Sequence, residues 1–513
     1  MQKLRTALLV AASLFGLLIA ARALLGPLSF PVSIRTPINI ESICGFLIMV
    51  LFLLPAREGV SNSPSVKPIW ALLLVTLAVA GFWRALNVYF LADDFVLVTR
   101  ANDFNLGKMR ELWTTAEAAA FFRPMILFTM AGTAQWAHFD PGLWRLNSVL
   151  LHGVNSALVF ALAARLGLSR NAALFAGALF AVHGCLPESV VWIAGWFGTL
   201  STLFFLCALV LFLEHLARQG HGHLWFGVAS FACMTLALLS KETAYVFPLV
   251  AALAAWDRGA LRRAWPTLAT FFGGSLVVFA YRWTLLGGIG GYVDLNAGGP
   301  LLMKLGIVPV LRSLLLRLWA VLVFPINWSR EPELWLGLIT AGYVAALVWL
   351  ASSCGKSRSL WFPAGFVLLG ALPPLEQLLI GPDLQKSREL YLPLAGFCVL
   401  LAGAADRLHS RVRWVVPAMI IGFNFVALQH NITIWRNVGN LAQQTCVAAS
   451  RCSTARKLRI EDVPGSLDGV YFLGVGLPEC VGIATHSAPP EIESGSDLAW
   501  DAGARELRCN IGR

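Results

Sequence analysis

Residues 69–96 read IWALLLVTLAVAGFWRALNVYFLADDFV, an apolar run that ends on the paired carboxylates Asp93 and Asp94. A run of about 17 to 25 apolar residues is long enough to cross a bilayer core as a helix, and the stretch 69–91 meets that length. Backbone in hydrocarbon must satisfy its own hydrogen bonds, so a chain made of such runs is a helical bundle. A barrel would show short alternating strands instead. Charge is costly in lipid, which makes a carboxylate pair at the end of a span a functional candidate.

The remainder of the 513-residue chain has the same texture. Hydrophobic residues make up 58% and charged residues 13%, and the mean hydropathy is +0.70. A soluble domain carries about 25% charged residues, so the composition specifies an all-α polytopic membrane protein. The net charge of +11 then reads as basic cytoplasmic loops, with no nucleic-acid partner implied. The ten cysteines show no C-x-x-C zinc spacing.

Apolar runs at 6–25, 39–55, 69–91, 143–164, 171–187, 195–214, 224–240, 243–256, 266–286, 335–353, 360–380, 388–406 and 414–430 predict about thirteen transmembrane helices. Lys3 and Arg5 precede the first run and place the N-terminus in the cytoplasm. Alternation puts Arg57, Lys67, Arg165, Arg170, Arg218, Arg258, Arg262, Arg263, Lys356, Arg358, Arg407, Arg411 and Arg413 on the same side, with Asp93 and Asp94 outside. The first run, with Ala21-Arg22-Ala23, also loosely fits a signal peptide, whose removal would leave the later orientation unchanged. Two stretches fit an interfacial position better than a span: the apolar part Pro124 to Trp136 of the outer loop 92–142, and 304–324 with Lys304, Arg312 and Arg317.

From residue 431 the texture changes to Gly, Pro, Ser and acidic residues. The expected division is a transmembrane domain over 1–430 and a small extracytoplasmic tail over 431–513. That tail holds Cys446, Cys452, Cys480 and Cys509. Outside the cytoplasm disulfides persist. Six residues of separation on one helix would hold Cys446 and Cys452 apart, which favours a long-range bridge.

Polar residues recur at the span ends that alternation places outside. They are Asp93 and Asp94; Arg123-Pro124; His183 and Glu188 in a turn that runs on to Trp192 and Trp196; Lys241-Glu242; and Lys386-Ser387-Arg388-Glu389-Leu390-Tyr391. Carboxylates, cations and aromatics on one membrane face suit a phosphate-linked lipid in a watery cleft. Plainer readings stand beside this one. The Asp pair could cap the next helix, and Lys241 with Glu242 could form a surface ion pair. Arg388 could anchor at the headgroups, and His183 could hydrogen-bond Glu188. His152 and Asn155, inside a span, could join helices.

In order, the Asp-Asp pair, Arg-Pro, His152 with Asn155, FAVH…E…VWIAG (180–195), LLSKET (238–243) and RELYLP (388–393) resemble the membrane glycosyltransferases of the C superfamily. The likeness is to the protein O-mannosyltransferase-like branch that includes the transmembrane-and-tetratricopeptide mannosyltransferases. It covers roughly residues 80 to 410. Gly184 stands where that family usually has proline, Trp196 follows Gly195 where it often has Arg or Lys, and the repeat tail is absent. The resemblance implies a polyprenyl-phosphate-linked sugar donor carrying a hexose, mannose in that branch. It further implies a hydroxyl acceptor (protein, lipid or glycan) and an acidic base in the first outer loop. On that reading Asp93 or Asp94 is the catalytic base. Arg388, Lys241 and Arg123 contact the donor phosphate, and His183, Glu188, Glu242 and Tyr391 are candidate substrate contacts. The other Asp orients the base or a divalent metal, although two carboxylates alone are a thin case for a metal. The competing classes are a polysaccharide polymerase or ligase and a non-catalytic transporter or scaffold. The abundance of Ala, Leu, Arg and Gly points to a GC-rich bacterium and its inner membrane.

Reporter fusions test the orientation. Fusions within 57–67, 165–170, 258–263 and 407–413 are expected to report cytoplasm, and one after residue 430 the opposite side. A cytoplasmic signal after 430 overturns the orientation.

Overall fold

A computed structural model of the chain describes residues 2–27, 37–53, 67–115, 121–218, 223–291, 293–294, 299–300, 307–353, 360–374, 380–408, 414–452, 457–461, 463–494 and 498–509. Of the basic residues used for orientation, Arg57, Lys356, Arg358, Arg411 and Arg413 lie outside the described residues, as does Lys304.

The first half of the chain runs α1 (Gln2–Leu25), α2 (Ile38–Leu53), α3 (Pro68–Phe82), α4 (Asp93–Asn102), α5 (Met109–Thr114), α6 (Pro124–Ala137), α7 (Pro141–Arg165), α8 (Arg170–Val182), α9 (Pro187–Val190) and α10 (Trp196–Ala217). It continues through α11 (His223–Leu238), α12 (Phe247–Asp257), α13 (Leu261–Leu286), α14 (Ile307–Arg312), α15 (Leu318–Val323), α16 (Leu334–Ser353), α17 (Trp361–Ala371), α18 (Tyr391–Ala405), α19 (Val415–Cys452) and α20 (Leu477–Thr485). Among the described residues eight helices are long and apolar enough to cross a membrane, and five shorter ones are apolar. The fold is a mostly helical, polytopic membrane bundle.

Helix α18 lies at its centre. Every residue from Tyr391 to Ala405 is buried, and α7, α8, α10 and α17 pack around it. An α-helix apolar on all sides has no face for water, and α18 carries no charge between Tyr391 and Ala405. Inside this core His152 of α7 bonds the Tyr391 hydroxyl (2.8 Å) and the Ala181 carbonyl (3.1 Å). Asn155 donates to Thr199 O (2.9 Å) and to the Tyr391 hydroxyl (3.1 Å). These are interhelical hydrogen bonds of the kind that join helices in lipid.

The bundle sorts its charges to its two ends. At one end Glu214 pairs with Arg165 and Arg218, and Asp406 accepts from Ser169. Arg258 and Arg263 donate there to the carbonyls of Arg165 and Arg218. At the other end lie Asp93, Asp94 and every other candidate site residue's ion pair. Two elements depart from expectation. Residues 318–323, expected at the interface, are buried against α2, because their own sequence LWAVLV is uncharged and only Arg312 and Arg317 precede it. The last long helix does not end at 430 but runs unbroken for 38 residues to Cys452, so the composition change at 431 falls inside a helix.

Beyond α19 the tail holds β3 (Lys457–Glu461), β4 (Ser466–Leu467), β5 (Val470–Tyr471), β6 (Glu491–Ser494), β7 (Leu498–Asp501) and β8 (Glu506–Cys509); β1 (Val293–Asp294) and β2 (Gly299–Pro300) form a hairpin earlier in the chain. The sheet order is β6-β3-β7-β8, and β4-β5 is a separate hairpin. A disulfide joins Cys446 on α19 to Cys480 on α20, 34 residues apart. The side chains of Cys452 and Cys509 lie outside the described residues.

Closing a loop of that length removes denatured-state entropy worth roughly 3–4 kcal/mol. Cys446→Ser or Cys480→Ser is therefore expected to lower the thermal midpoint of the purified protein. Non-reducing peptide mapping should return the 446–480 cross-link. Two freely alkylated thiols at these positions would refute the bridge.

Candidate active site

The Asp pair opens α4, and the two carboxylates have different surroundings. Asp94 is fully buried, as is its partner Arg145 on α7. One carboxylate oxygen accepts the N–H groups of Ile193 (2.9 Å) and Ala194 (3.3 Å). The other accepts Leu91 N–H (3.2 Å) and Arg145 Nη2 (3.3 Å). Burial pushes the Asp94 carboxyl up to about 7, against the pull of Arg145 and the three backbone N–H groups. Asp94 thereby ties together the α3–α4 loop, α7 and the turn before α10. Both of its oxygens are occupied, so the pair is not arranged to chelate a metal jointly. Among the described residues no group of three or more His, Cys, Asp or Glu is placed to hold one.

Asp93 faces the other way. It is partly exposed, and no hydrogen bond to its carboxylate is present among the described residues. Burial raises its pKa above the usual aspartate value, and the nearby Arg388 guanidinium opposes the rise. A raised carboxylate is a stronger base.

Cations and carboxylates alternate beside it. Arg388, one turn before α18, donates to Glu188 and forms an ion pair with Glu389 Oε1 (3.3 Å). Lys241 Nζ reaches Glu389 Oε2 at 2.8 Å. Arg123 holds Glu242 at 2.7 Å, and Arg282 approaches the same carboxylate at 3.3 Å. Burial would raise Glu242, but Arg123 and Arg282 together hold it below the usual range. Burial outweighs Arg388 at Glu188 and leaves that carboxyl raised. The guanidinium of Arg388 also lies 4.9 Å from the Trp192 ring and 5.2 Å from the Tyr471 ring. Trp192 and Tyr471 are themselves stacked at 4.6 Å.

Lys241 and Glu242 are thus not paired with one another; each reaches across to a different helix. Glu188 bonds Ser387 and Arg388 rather than His183. Glu188 and Glu242 enter the cluster as supports for Arg388 and Arg123. Two candidate substrate contacts are not brought there. Tyr391 is buried in the bundle with its hydroxyl shared between His152 and Asn155. His183 is buried and bonded to Leu322 O (3.0 Å) and Cys185 Sγ (3.2 Å). The partners of Tyr391 and the Leu322 carbonyl at His183 come from neighbouring helices, which spacing along one chain segment does not reveal.

Five residues of the site had no role assigned to them from sequence: Arg145, Glu389, Arg282, Trp192 and Tyr471. Arg145 had a readable signal, since a lone cation inside an apolar helix needs a buried counter-ion. The four others are joined to the site only through tertiary contacts. On the far side of Arg123 a cavity of about 370 Å³ opens between α4, α5, α6 and α20. Thr99, Arg100, Asp103, Arg123 and Glu479 are among its lining residues. Val96, Arg100 and Asp103 share the α4 face that begins at Asp93, by helical periodicity.

No family model matches the chain. Protein O-mannosyl-transferase TMTC4 of Homo sapiens is 24% identical over 462 residues, covering 72% of this chain and 60% of that protein. Protein O-mannosyl-transferase Tmtc1 of Drosophila melanogaster is 28% identical over 187 residues, covering 34% of this chain and 21% of that protein. Among solved structures, ArnT from Cupriavidus metallidurans in the apo state aligns with 14% identity and a TM-score of 0.46, covering 83% of this chain and 86% of that one. The chain spans between 17% and 60% of the length of the curated relatives it matches. In its sequence the chain is similar, at low identity, to the protein O-mannosyl-transferases Tmtc1 and TMTC4.

Proposed function

We propose that this protein transfers a hexose from a polyprenyl-phosphate sugar to an acceptor hydroxyl, at the outer face of a bacterial inner membrane. The observation that carries the reading is the gathering, at one end of the bundle, of a partly exposed carboxylate with no hydrogen-bond partner among the described residues, Asp93, and cations buttressed by glutamates, Arg388, Lys241 and Arg123. The relatives' printed activity and the motif order support it, and so does the gathering of basic residues at the opposite end of the bundle.

Asp93 takes the proton of the acceptor hydroxyl. The acceptor oxygen forms a bond to the anomeric carbon as the bond from that carbon to the phosphate oxygen breaks. The electron pair leaves with the polyprenyl phosphate, and the proton on Asp93 passes to water. Phosphate is a stable leaving group, so no strong acid is needed; fixed cations lower the barrier by stabilising the charge that develops on it. Arg388, Lys241 and Arg123 fill that role. Glu188, Glu389 and Glu242 hold them in place. Asp94 acts through Arg145 and the 193–194 turn to aim Asp93, and does not itself meet the substrate.

The two aspartates should therefore separate experimentally. Asp93→Asn is expected to lower turnover by about 10²- to 10⁴-fold, the usual cost of losing a general base, with the thermal midpoint little changed. Asp94→Ala strands a buried guanidinium, and removing one partner of a buried pair costs about 3–5 kcal/mol. Its thermal midpoint and membrane yield should fall. Wild-type turnover in Asp93→Asn would move the base elsewhere.

A pH profile gives an independent check. The base must be ionised, so kcat/KM should fall as pH drops through the Asp93 pKa. That limb is expected above the ordinary aspartate value of about 3.9, because burial raises the group. In Asp93→Asn the limb should vanish.

Donor binding tests the cations. Arg388→Ala is expected to raise the donor KM strongly and Arg388→Lys to restore it in part, since an ammonium cannot reproduce a two-pronged contact to phosphate. Equal donor saturation in the parent and both variants would reduce Arg388 to an anchor.

A further inference from the structure

The tail does not simply trail from the bundle; its β4–β5 hairpin and the residues after it reach the two groups on which the proposed reaction depends. One contact is at the root of Asp93. Ala92, the residue before it, has φ +43°, a left-handed conformation that costs a side-chain-bearing residue about 1–3 kcal/mol. Its N–H donates to Phe472 O at 2.7 Å. Gly476 (φ +84°) packs so closely on this loop that a Cβ there would fall 2.5 Å from Ala92 O. The other contact is at Arg388, whose Nη1 donates to the Tyr471 hydroxyl at 3.1 Å. The Tyr471 ring lies flat on Trp192, and Trp192 Nε1 donates to Leu91 O at 3.2 Å. The tail is held to the bundle elsewhere too. Asp468 pairs with Arg330 (3.1 Å), its carbonyl accepts from Asn327 Nδ2 (3.0 Å), and the disulfide fixes α20 to α19.

We infer that the segment 466–476 is a wall of the active site and that Tyr471 is a positioning residue for Arg388. The inference rests on the proposed use of Arg388 to hold the donor phosphate. A guanidinium offers five N–H donors in one plane. Glu188 and Glu389 draw this one from two directions, and both lie on the bundle. Tyr471 adds the contact from the tail, and its ring together with Trp192 lies within cation–π distance of the guanidinium. The plane of Arg388 is therefore fixed by both parts of the chain, and its orientation towards a bound phosphate depends on the tail being docked. Since Phe472 bonds Ala92, the same docking sets where Asp93 begins. One segment thus adjusts base and cation together.

The test uses the full-length protein in nanodiscs, with equilibrium binding of a polyprenyl phosphate and saturation kinetics for its sugar-charged form. Tyr471→Phe removes the hydroxyl and keeps the stack; Tyr471→Ala removes both. A hydrogen bond to a charged group corresponds to roughly a 10-fold effect or more. Tyr471→Phe is expected to weaken polyprenyl phosphate binding and raise the donor KM on the order of 10-fold, with kcat lowered as well because Arg388 also stabilises the charge on the departing phosphate. Tyr471→Ala should lose more, and Tyr471→Trp should recover part of the stacking contribution. In the background of Arg388→Ala, Tyr471→Phe should cost nothing further, because coupled residues are non-additive. A purely structural tyrosine would instead lower the thermal midpoint and add its loss in full to that of Arg388→Ala. Unchanged binding in Tyr471→Phe, or full additivity, overturns the inference while leaving the functional reading intact. A parent protein that binds no polyprenyl phosphate overturns both.

Discussion

The ion pair of Asp94 with Arg145 is the constraint on which the rest of the site depends. Two charges are removed from water, and their attraction repays that cost only where the remaining hydrogen-bonding positions are filled. At Asp94 the three backbone N–H groups of Leu91, Ile193 and Ala194 fill them. Those residues come from segments a hundred positions apart in sequence. Satisfying one buried carboxylate therefore fixes the loop that carries Asp93, the turn that carries Trp192 and the start of α7. Adjacent residues at a helix start point in different directions, about 100° apart at 3.6 residues per turn. Locking Asp94 inward is what leaves Asp93 facing the cluster.

The bundle itself was legible from composition. The apolar runs are long, uninterrupted and punctuated by charge, and each corresponds to a physical requirement of the bilayer rather than to a subtle preference. The interhelical role of His152 and Asn155 was legible for the same reason, since polar groups in lipid need partners. The site was legible in part. The gathering of its residues at one end of the bundle followed from motif order and alternation, but their pairings did not. Lys241 and Glu242 are adjacent, yet they pair with Glu389 and Arg123, because a turn between helices presents neighbouring side chains to different helices. Tyr391 follows the Arg388-Glu389-Leu390 turn by a single residue and already faces the interior. A hydropathy pattern cannot separate the last residue of a cleft from the first of a core. The break at 431 misled for a related reason: composition changed there, while the helix continued to Cys452 and kept Ile432, Trp435, Val438 and Ala442 buried in the core.

The charge arithmetic of the cluster bears on mechanism. Four cations, Arg123, Lys241, Arg282 and Arg388, meet three glutamates, Glu188, Glu242 and Glu389. One positive charge is left over, and ionised Asp93 beside Arg388 balances it. In the proposed reaction a phosphodiester donor carrying one negative charge becomes a phosphomonoester whose second ionisation has a pKa of about 6. Asp93 loses its own charge at that same moment by taking the acceptor's proton. The negative charge that leaves the base thus reappears on the phosphate, next to the same cations, and the net charge of cluster and donor together is unchanged throughout. No charge has to be created in a poorly solvated site, where creating one is most expensive. A base without an adjacent guanidinium, or a guanidinium without a base, would leave the cluster unbalanced at one end of the reaction. That requirement accounts for the placement of Asp93 beside Arg388 and not beside the more exposed basic residues of the neighbouring cavity.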